Sequence, residues 1–225
     1  MKLYGIVGAG GFGREVMPLA KQWLQTQGSV HRLVFIEEKM IDQPHINQYP
    51  IMTMAEFLSA KADAKYFNVA IANADIRQRI VEILISNQCI PFQIVATQHI
   101  QLDNNQIAEG AIFCPFTTVT SNTRIGKFFH ANIYSYVAHD CCIGDYVTFA
   151  PNVHCNGGVI IEDHVYVGTG VIIKQSTAEK PIVIGKGAVL GMGAVVTKSV
   201  PPFATVVGNP ARPLIKTVAE TAIKI

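Results

Sequence analysis

The sequence predicts an N-terminal α/β domain with a small parallel sheet, followed by a parallel β-helix of about five coils. Three observations carry that reading. Strand-like and helix-like segments alternate over the first hundred residues. From Ile107 onward an apolar residue recurs at every sixth position. A glycine-rich turn, Gly8-Ala9-Gly10-Gly11-Phe12-Gly13, stands between the first strand and the first helix. The chain has 225 residues, of which 49% are hydrophobic and 15% charged. That composition builds a sizeable core and excludes intrinsic disorder.

Taken in order, Lys2 to Val7 reads as a buried strand. From Arg14 to about Gln27, Val16, Leu19, Ala20, Trp23 and Leu24 share one helical face, with Gly28 as the stop. Arg32 to Ile36 is a second strand closed by Glu37-Glu38, and Tyr66 to Ile71 is a third. A helix follows from about Asp75 to Asn87, then a fourth strand from Phe92 to Val95. Such alternation implies a parallel sheet. The expected units are 1–100, 101–213 and a tail at 214–225, the last read as a short helix or tail over the end of the second unit.

The second unit follows a different rule. Ile107, Phe113, Val119, Ile125, Ala131, Val137, Ile143, Phe149, Cys155, Ile161, Val167 and Ile173 are spaced by six, and Ile184, Leu190 and Val196 resume the series one residue out of phase. Four positions after each leading residue, small or β-branched residues dominate, among them Thr117, Thr123, Ser135, Val147, Val153 and Val159. A period of six fits neither a helix face nor a sandwich. It is the mark of a coil built from three short strands, stacked at about 4.8 Å per coil. The polar stretch from Lys174 to Val183 breaks the phase and reads as a loop ejected from the stack.

Composition removes several function classes. Lys+Arg 18 against Asp+Glu 16 is too balanced for an electrostatic nucleic-acid binder. No apolar run has the length of a membrane span. The N-terminal apolar stretch runs into glycines rather than a cleavage site, so a cytoplasmic protein is the expectation. Five cysteines without a C-x-x-C pair argue against a zinc ribbon or a disulfide scaffold.

The hexads, the segment Val137-Ala138-His139-Asp140-Cys141-Cys142-Ile143-Gly144 and the closing Val207-Gly208-Asn209-Pro210-Ala211-Arg212 resemble the left-handed β-helix acyltransferases. The glycine-rich Rossmann-like front unit narrows the resemblance to the nucleotide-sugar branch. That branch holds the N-acetyltransferases of UDP-4-amino-4,6-dideoxy sugars, as in UDP-N-acetylbacillosamine synthesis, and the sialic-acid O-acetyltransferases. The left hand comes from the resemblance alone, since general crossover rules favour the right hand. The resemblance implies acetyl-CoA as co-substrate, no tightly bound cofactor or metal, a UDP-amino-sugar acceptor and a homotrimer.

Acetyl transfer from a thioester to an amine needs a base, and a histidine with a free pKa near ~6.5 suits that task. His139 is the third residue of its hexad and should face outward, where spacing alone makes it a surface residue. The family's catalytic base occupies the matching position, with Asp140 as its orienter. The family often carries Glu there, and Asp140 is one methylene shorter. Adjacent strand residues point opposite ways, so the pair works only where the chain bends.

For the acceptor, the motif Gly8-x-Gly10-x-x-Gly13 offers amides and a helix N-terminus to phosphates. Gly10, Gly11, Phe12 and Gly13 form that cradle, and Glu37 or Glu38 would read a ribose or base edge. The resemblance adds Ala72 and Asn73 beside the nucleotide and Asn132 beside the acceptor amine. Arg77 reads either as a charge for the nucleotide or as a surface residue of its helix. For acetyl-CoA the resemblance implies a groove between neighbouring prisms touching Thr148, Gly157, Thr169 and Met192, with an N–H near Gly157 as oxyanion donor. His154 reads as a wall of that cleft. A thiol nucleophile at Cys141 or Cys142 is discounted, because vicinal cysteines cannot both face the base. The remaining readings are a sialic-acid O-acetyltransferase and a non-catalytic β-helix scaffold.

Overall fold

The computed structural model describes residues 1–26, 28, 31–39 and 43–214. The front sheet is built from β1 (Lys2–Val7), β2 (His31–Glu37), β3 (His45–Ile46), β4 (Tyr49–Thr53), β5 (Lys65–Val69) and β6 (Ile90–Pro91), in the order β3-β4-β2-β1-β5-β6. All neighbours are parallel except β3 with β4. The central β1 is buried from Leu3 to Val7, which is why it reads as an unbroken apolar run. Helix α1 (Gly11–Thr26) covers one face through Val16, Leu19, Ala20 and Leu24. Helices α2 (Met54–Ser59) and α3 (Ala74–Ser86) cover the other through Phe57, Ile80, Val81 and Leu84.

In and around the front domain the structure departs from the sequence expectation in three places. Helix α1 starts at Gly11 rather than Arg14, so the glycine-rich motif runs into the helix itself; the expected end at Gln27 lies outside the described residues. The segment between β2 and β5 holds β3, β4 and α2, none of which was expected. Helix α2 is opened by a capping box in which Thr53 and Glu56 satisfy each other's backbone amides. The expected strand at Phe92 to Val95 divides: Ile90–Pro91 closes the front sheet, and Ile94–Val95 begins the coil stack.

Each hexad's leading residue is the second residue of a two-residue strand, as in Phe113, Ala131, Phe149 and Val167. These strands form three parallel sheets of eight, six and five members, the largest ended by one antiparallel strand. Because the stack begins at Ile94, it runs to about six coils, one more than hexads counted from Ile107 give. Leading residues and those four positions later fill one continuous core from Ala111 to Val206. The loop ejected between Ile173 and Val183 is closed by reciprocal backbone bonds between Thr177 and Lys180. The expected tail lies outside the described residues from 215 onward.

Three prism faces and three edges position everything that follows. The first face carries Ile112, His130 and Thr148 outward, buried beneath the front domain. The second carries Tyr136, His154 and Ile172, and the third Arg124, Cys142 and Ile160. Along the edge after the third face, Phe128 stacks on Phe67 at 5.9 Å and on Tyr146 at 5.7 Å. There too, His164 Nδ1 meets Asp75 Oδ1 at 2.8 Å. These contacts merge the two units' cores, so no exposed linker separates them.

Candidate active site

His139 and Asp140 follow the strand Tyr136–Val137, on the edge after the second face. Asp140 has φ of 60°, the same left-handed turn as Asn122 one coil earlier and Gly158 one coil later. Asn, Asp and Gly are the residues that tolerate this conformation. The turn brings two adjacent side chains to one side, and His139 Nδ1 reaches Asp140 Oδ2 at 2.7 Å. The shorter carboxylate therefore suffices. That hydrogen bond is the main reason the Asp140 carboxyl sits below the usual carboxylate range, with a smaller contribution from Asn122. With Nδ1 committed as donor, the lone pair of Nε2 is available to accept a proton.

The imidazole lies directly over Gly157. A Cβ there would stand 2.5 Å from His139 Nε2 and Cε1, so only glycine lets the ring take this position. Gly158 N donates to the His139 carbonyl at 2.8 Å, and the Gly157 carbonyl accepts from Ser176 N at 2.9 Å. Among the described residues the Gly157 amide has no protein acceptor. Gly157→Ala should displace the ring and lower kcat by about tenfold to a hundredfold, since a shift near 1 Å can cost that much. The ring is half exposed and can be pushed toward solvent without disturbing the core, so the melting temperature should stay within a few degrees. A drop in stability with unchanged kcat in the folded fraction would show that the ring position does not matter.

The neighbouring cysteines face different ways. Cys141 points into the prism, 4.0 Å from Cys155 Sγ, while Cys142 is exposed on the third face.

The expected acceptor and donor residues divide between two edges. Phe12, Ala72, Asn132, Thr148 and Thr169 line one cavity of about 150 Å³ between the front domain and the first face. Met192 lies further along the same edge and is 81% exposed. One whole prism face separates this group from His139 and Gly157. Asn132 Oδ1 accepts from Ile133 N at 2.7 Å, and Thr148 Oγ1 donates to the Ala72 carbonyl at 3.2 Å.

At the nucleotide loop, Gly10 and Gly11 have open space where a Cβ would stand, while one at Gly13 would lie 1.8 Å from the Gly8 carbonyl. Gly13 thus lets the helix sit against the turn, and Gly10 and Gly11 leave the backbone open to a ligand. Ala9 N donates to Glu37 Oε1 at 2.5 Å, so Glu37 braces the turn. Glu38 pairs with Arg79 at 2.6 Å across a cavity of about 390 Å³ bounded by Gly8 and Ile71. Asn73 caps α3 through Ile76 N at 3.0 Å. On the far side of Ala72, a cavity of about 470 Å³ reaches His164, Lys186 and Phe203.

Arg77 takes neither expected role. It is fully buried, donating to the carbonyls of Ile71 and Tyr146 at 2.5 Å each and of Ala72 at 3.2 Å. Burial draws its pKa down to about 9, against a smaller opposing effect of Tyr146, so it stays charged at neutral pH. Its neighbour His130 is also fully buried. His154 holds Asn152 Oδ1 at 3.0 Å and packs on Tyr136, on the face next to His139.

The model of the PglD N-terminal domain matches residues 5–84. The chain is 51% identical over 213 residues to a GDP-perosamine N-acetyltransferase of Escherichia coli O157:H7, covering 94% of this chain and 96% of that one. WeeI from Acinetobacter baumannii AYE superposes with a TM-score of 0.91 at 52% identity, covering 95% of this chain and all of WeeI. The acetyltransferase domain of PglB from Neisseria gonorrhoeae FA1090, in complex with acetyl coenzyme A, superposes with a TM-score of 0.82 at 26% identity, covering 94% of this chain and 98% of that one.

Proposed function

The chain belongs to the hexapeptide-repeat nucleotide-sugar N-acetyltransferases, with their left-handed β-helix, and from that membership we propose that it moves acetyl from acetyl-CoA to the 4-amino group of a nucleotide-linked 4-amino-4,6-dideoxy sugar. The observation that carries the reading is the His139–Asp140 pair, 2.7 Å apart, with its free Nε2 over Gly157. The amine lone pair attacks the thioester carbonyl carbon directly, and no acyl-enzyme forms. His139 Nε2 takes the amine proton and returns it to the departing CoA sulfur. The unpartnered Gly157 amide is the donor for the oxyanion that forms on the carbonyl oxygen. Asp140 holds the tautomer this requires.

The glycine-rich loop holds the diphosphate, and the Gly8–Glu37–Ile71 cleft holds the nucleoside. The resemblance of the sequence points to UDP, whereas the E. coli relative is named for GDP-perosamine, which makes GDP the first nucleotide to try. The donor cleft needs Gly157 on one edge and Thr169 and Met192 on another, so it closes only when a second protomer supplies the missing edge. A homotrimer with three shared sites follows, and the enzyme works in the cytoplasm.

The direct test is mass spectrometry after incubation with acetyl-CoA and GDP- or UDP-linked 4-amino-4,6-dideoxy sugars. One added acetyl group that survives mild base is expected, because an amide survives where an ester hydrolyses. A base-labile acetyl on a sialic acid would establish the O-acetyltransferase instead. No thermal shift with acetyl-CoA would establish a non-catalytic scaffold. Gly11→Asp introduces a carboxylate into open space against the phosphates. It should raise KM for the nucleotide sugar about tenfold or more and leave KM for acetyl-CoA nearly unchanged. Equal effects on both would give the motif a purely structural role.

A further inference from the structure

We propose that Cys141 is a positioning residue for the oxyanion donor: its thiol holds the Asn156–Gly157 peptide so that the Gly157 N–H faces the thioester carbonyl. The inference rests on the reading of Gly157 as that donor and names what keeps it aimed.

Asn156 and Gly157 follow the strand His154–Cys155, one coil above His139. In a planar trans peptide the carbonyl of one residue and the amide of the next point opposite ways. The direction of the Asn156 carbonyl therefore fixes that of the Gly157 N–H. Nothing in residue 157 itself holds the plane, since glycine turns freely about its backbone bonds. Cys141 is buried inside the prism, and its Sγ lies 3.2 Å from the Asn156 carbonyl oxygen. A carbonyl carries no proton, so the thiol donates. Among the described residues no backbone amide reaches that carbonyl, and its one other donor is the Cys155 thiol at 3.9 Å. With the Cys141 proton committed there, Cys155 is the donor of the 4.0 Å contact between the two sulfurs. That contact is the main reason the Cys141 thiol sits below its ordinary pKa, against its burial, and a more acidic S–H is a stronger donor.

The coils below repeat the arrangement. Thr123 stands one coil beneath Cys141, and its Oγ1 donates at 3.1 Å to the carbonyl of Ala138, whose peptide leads into His139. Asn105, one coil lower still, donates to the Thr120 carbonyl at 2.6 Å. The series of inward donors stops at Cys141, because Val159 occupies the matching place one coil above. Without the Cys141 thiol the Asn156 carbonyl keeps only its long contact with Cys155. An unsatisfied carbonyl gains by turning toward water, and that turn swings the Gly157 N–H inward, away from the acetyl group.

The test compares wild type with Cys141→Val, Cys141→Ala and Cys141→Ser on acetyl-CoA and on dithioacetyl-CoA, in which sulfur replaces the carbonyl oxygen and accepts hydrogen bonds poorly. The chain already carries valine at this hexad position in Val147 and Val159, so Cys141→Val should fold, and Cys141→Ala controls for its larger side chain. Both should lower kcat with acetyl-CoA by roughly ten- to a hundredfold, the loss expected from a misaimed oxyanion donor, with KM for the nucleotide sugar within about threefold. Cys141→Ser keeps a donor and should stay within about fivefold of wild type. Wild type should prefer acetyl-CoA to the dithio analogue. That preference should shrink about tenfold or more in Cys141→Val and Cys141→Ala and persist in Cys141→Ser. Folded Cys141→Val and Cys141→Ala enzymes with wild-type kcat and an undiminished preference overturn the role of Cys141 and leave Gly157 as the donor. A Cys141→Ser enzyme as slow as the other two makes the position one of packing alone, and overturns the proposal as well. A wild type that shows no preference between the two thioesters removes the oxyanion reading of Gly157, and this proposal with it.

Discussion

His139→Ala is expected to lower kcat at pH 7 by roughly 10²–10⁴-fold, the usual worth of a positioned general base. The substitution removes the imidazole that its contact with Asp140 holds over Gly157, so the amine proton must leave to solvent. KM for the nucleotide sugar should change little, because the phosphate loop and the cavity at Asn132 lie elsewhere in the fold. Part of the lost rate should return at high pH, where the acceptor amine is already deprotonated. Asp140→Asn should cost less: the imidazole remains, but its tautomer and basicity are no longer held. Steady-state kinetics on both variants decide the matter. A His139→Ala enzyme within threefold of wild type would move the base elsewhere, and His154 on the adjoining face is the next residue to replace.

Gly13→Ala should destabilise the protein by about 2–3 kcal/mol, the usual consequence of forcing a methyl into packed backbone. Its Cβ would meet the Gly8 carbonyl at 1.8 Å, and because that atom is backbone rather than the end of a flexible side chain, the turn itself must shift. For a chain of this length the melting temperature should fall by roughly 5–10 °C. Gly10→Ala is the control, since nothing lies within 4 Å of its Cβ position. It should leave stability within about 0.5 kcal/mol, and any rise in KM for the nucleotide sugar would then report ligand approach rather than folding. Equal melting temperatures for the two variants would contradict this division of roles within one motif.

Much of this was readable from the residues, for physical reasons that differ by element. In the coils each two-residue strand turns one side chain inward, so the buried set is written at a strict interval and Phe113 through Val196 stand out. The bend at Asp140 was legible as a requirement, because adjacent side chains cannot meet on a straight strand. The short β3, β4 and α2 were not found: two-residue and half-buried strands leave no alternation to read. The Thr53–Glu56 capping box was the one local signal there. Arg77 and His130 lie 53 positions apart, and their burial arises where the coil stack meets the front sheet. No local pattern marks such a contact. Nor does any residue pattern state the hand of the helix, which came from family likeness. The separation of Asn132 from His139 by a whole face was implicit in the hexad count, since seven residues carry the chain from one edge to the next.

That separation makes the shared site the central claim, and mixed oligomers test it most directly. His139→Ala disables the base on one prism edge and Gly11→Asp the nucleotide loop of the front domain, and each alone should be nearly inactive at nucleotide-sugar concentrations well below the raised KM. Unfolded together and refolded at equal amounts, they should assemble hybrids in which an intact base from one protomer faces an intact pocket from the next. Activity should return to about a quarter of wild type, the share of interfaces that random mixing leaves whole. If base and pocket work within a single protomer, no mixture can contain an intact site, and hybrids as inactive as their parents would contradict the account.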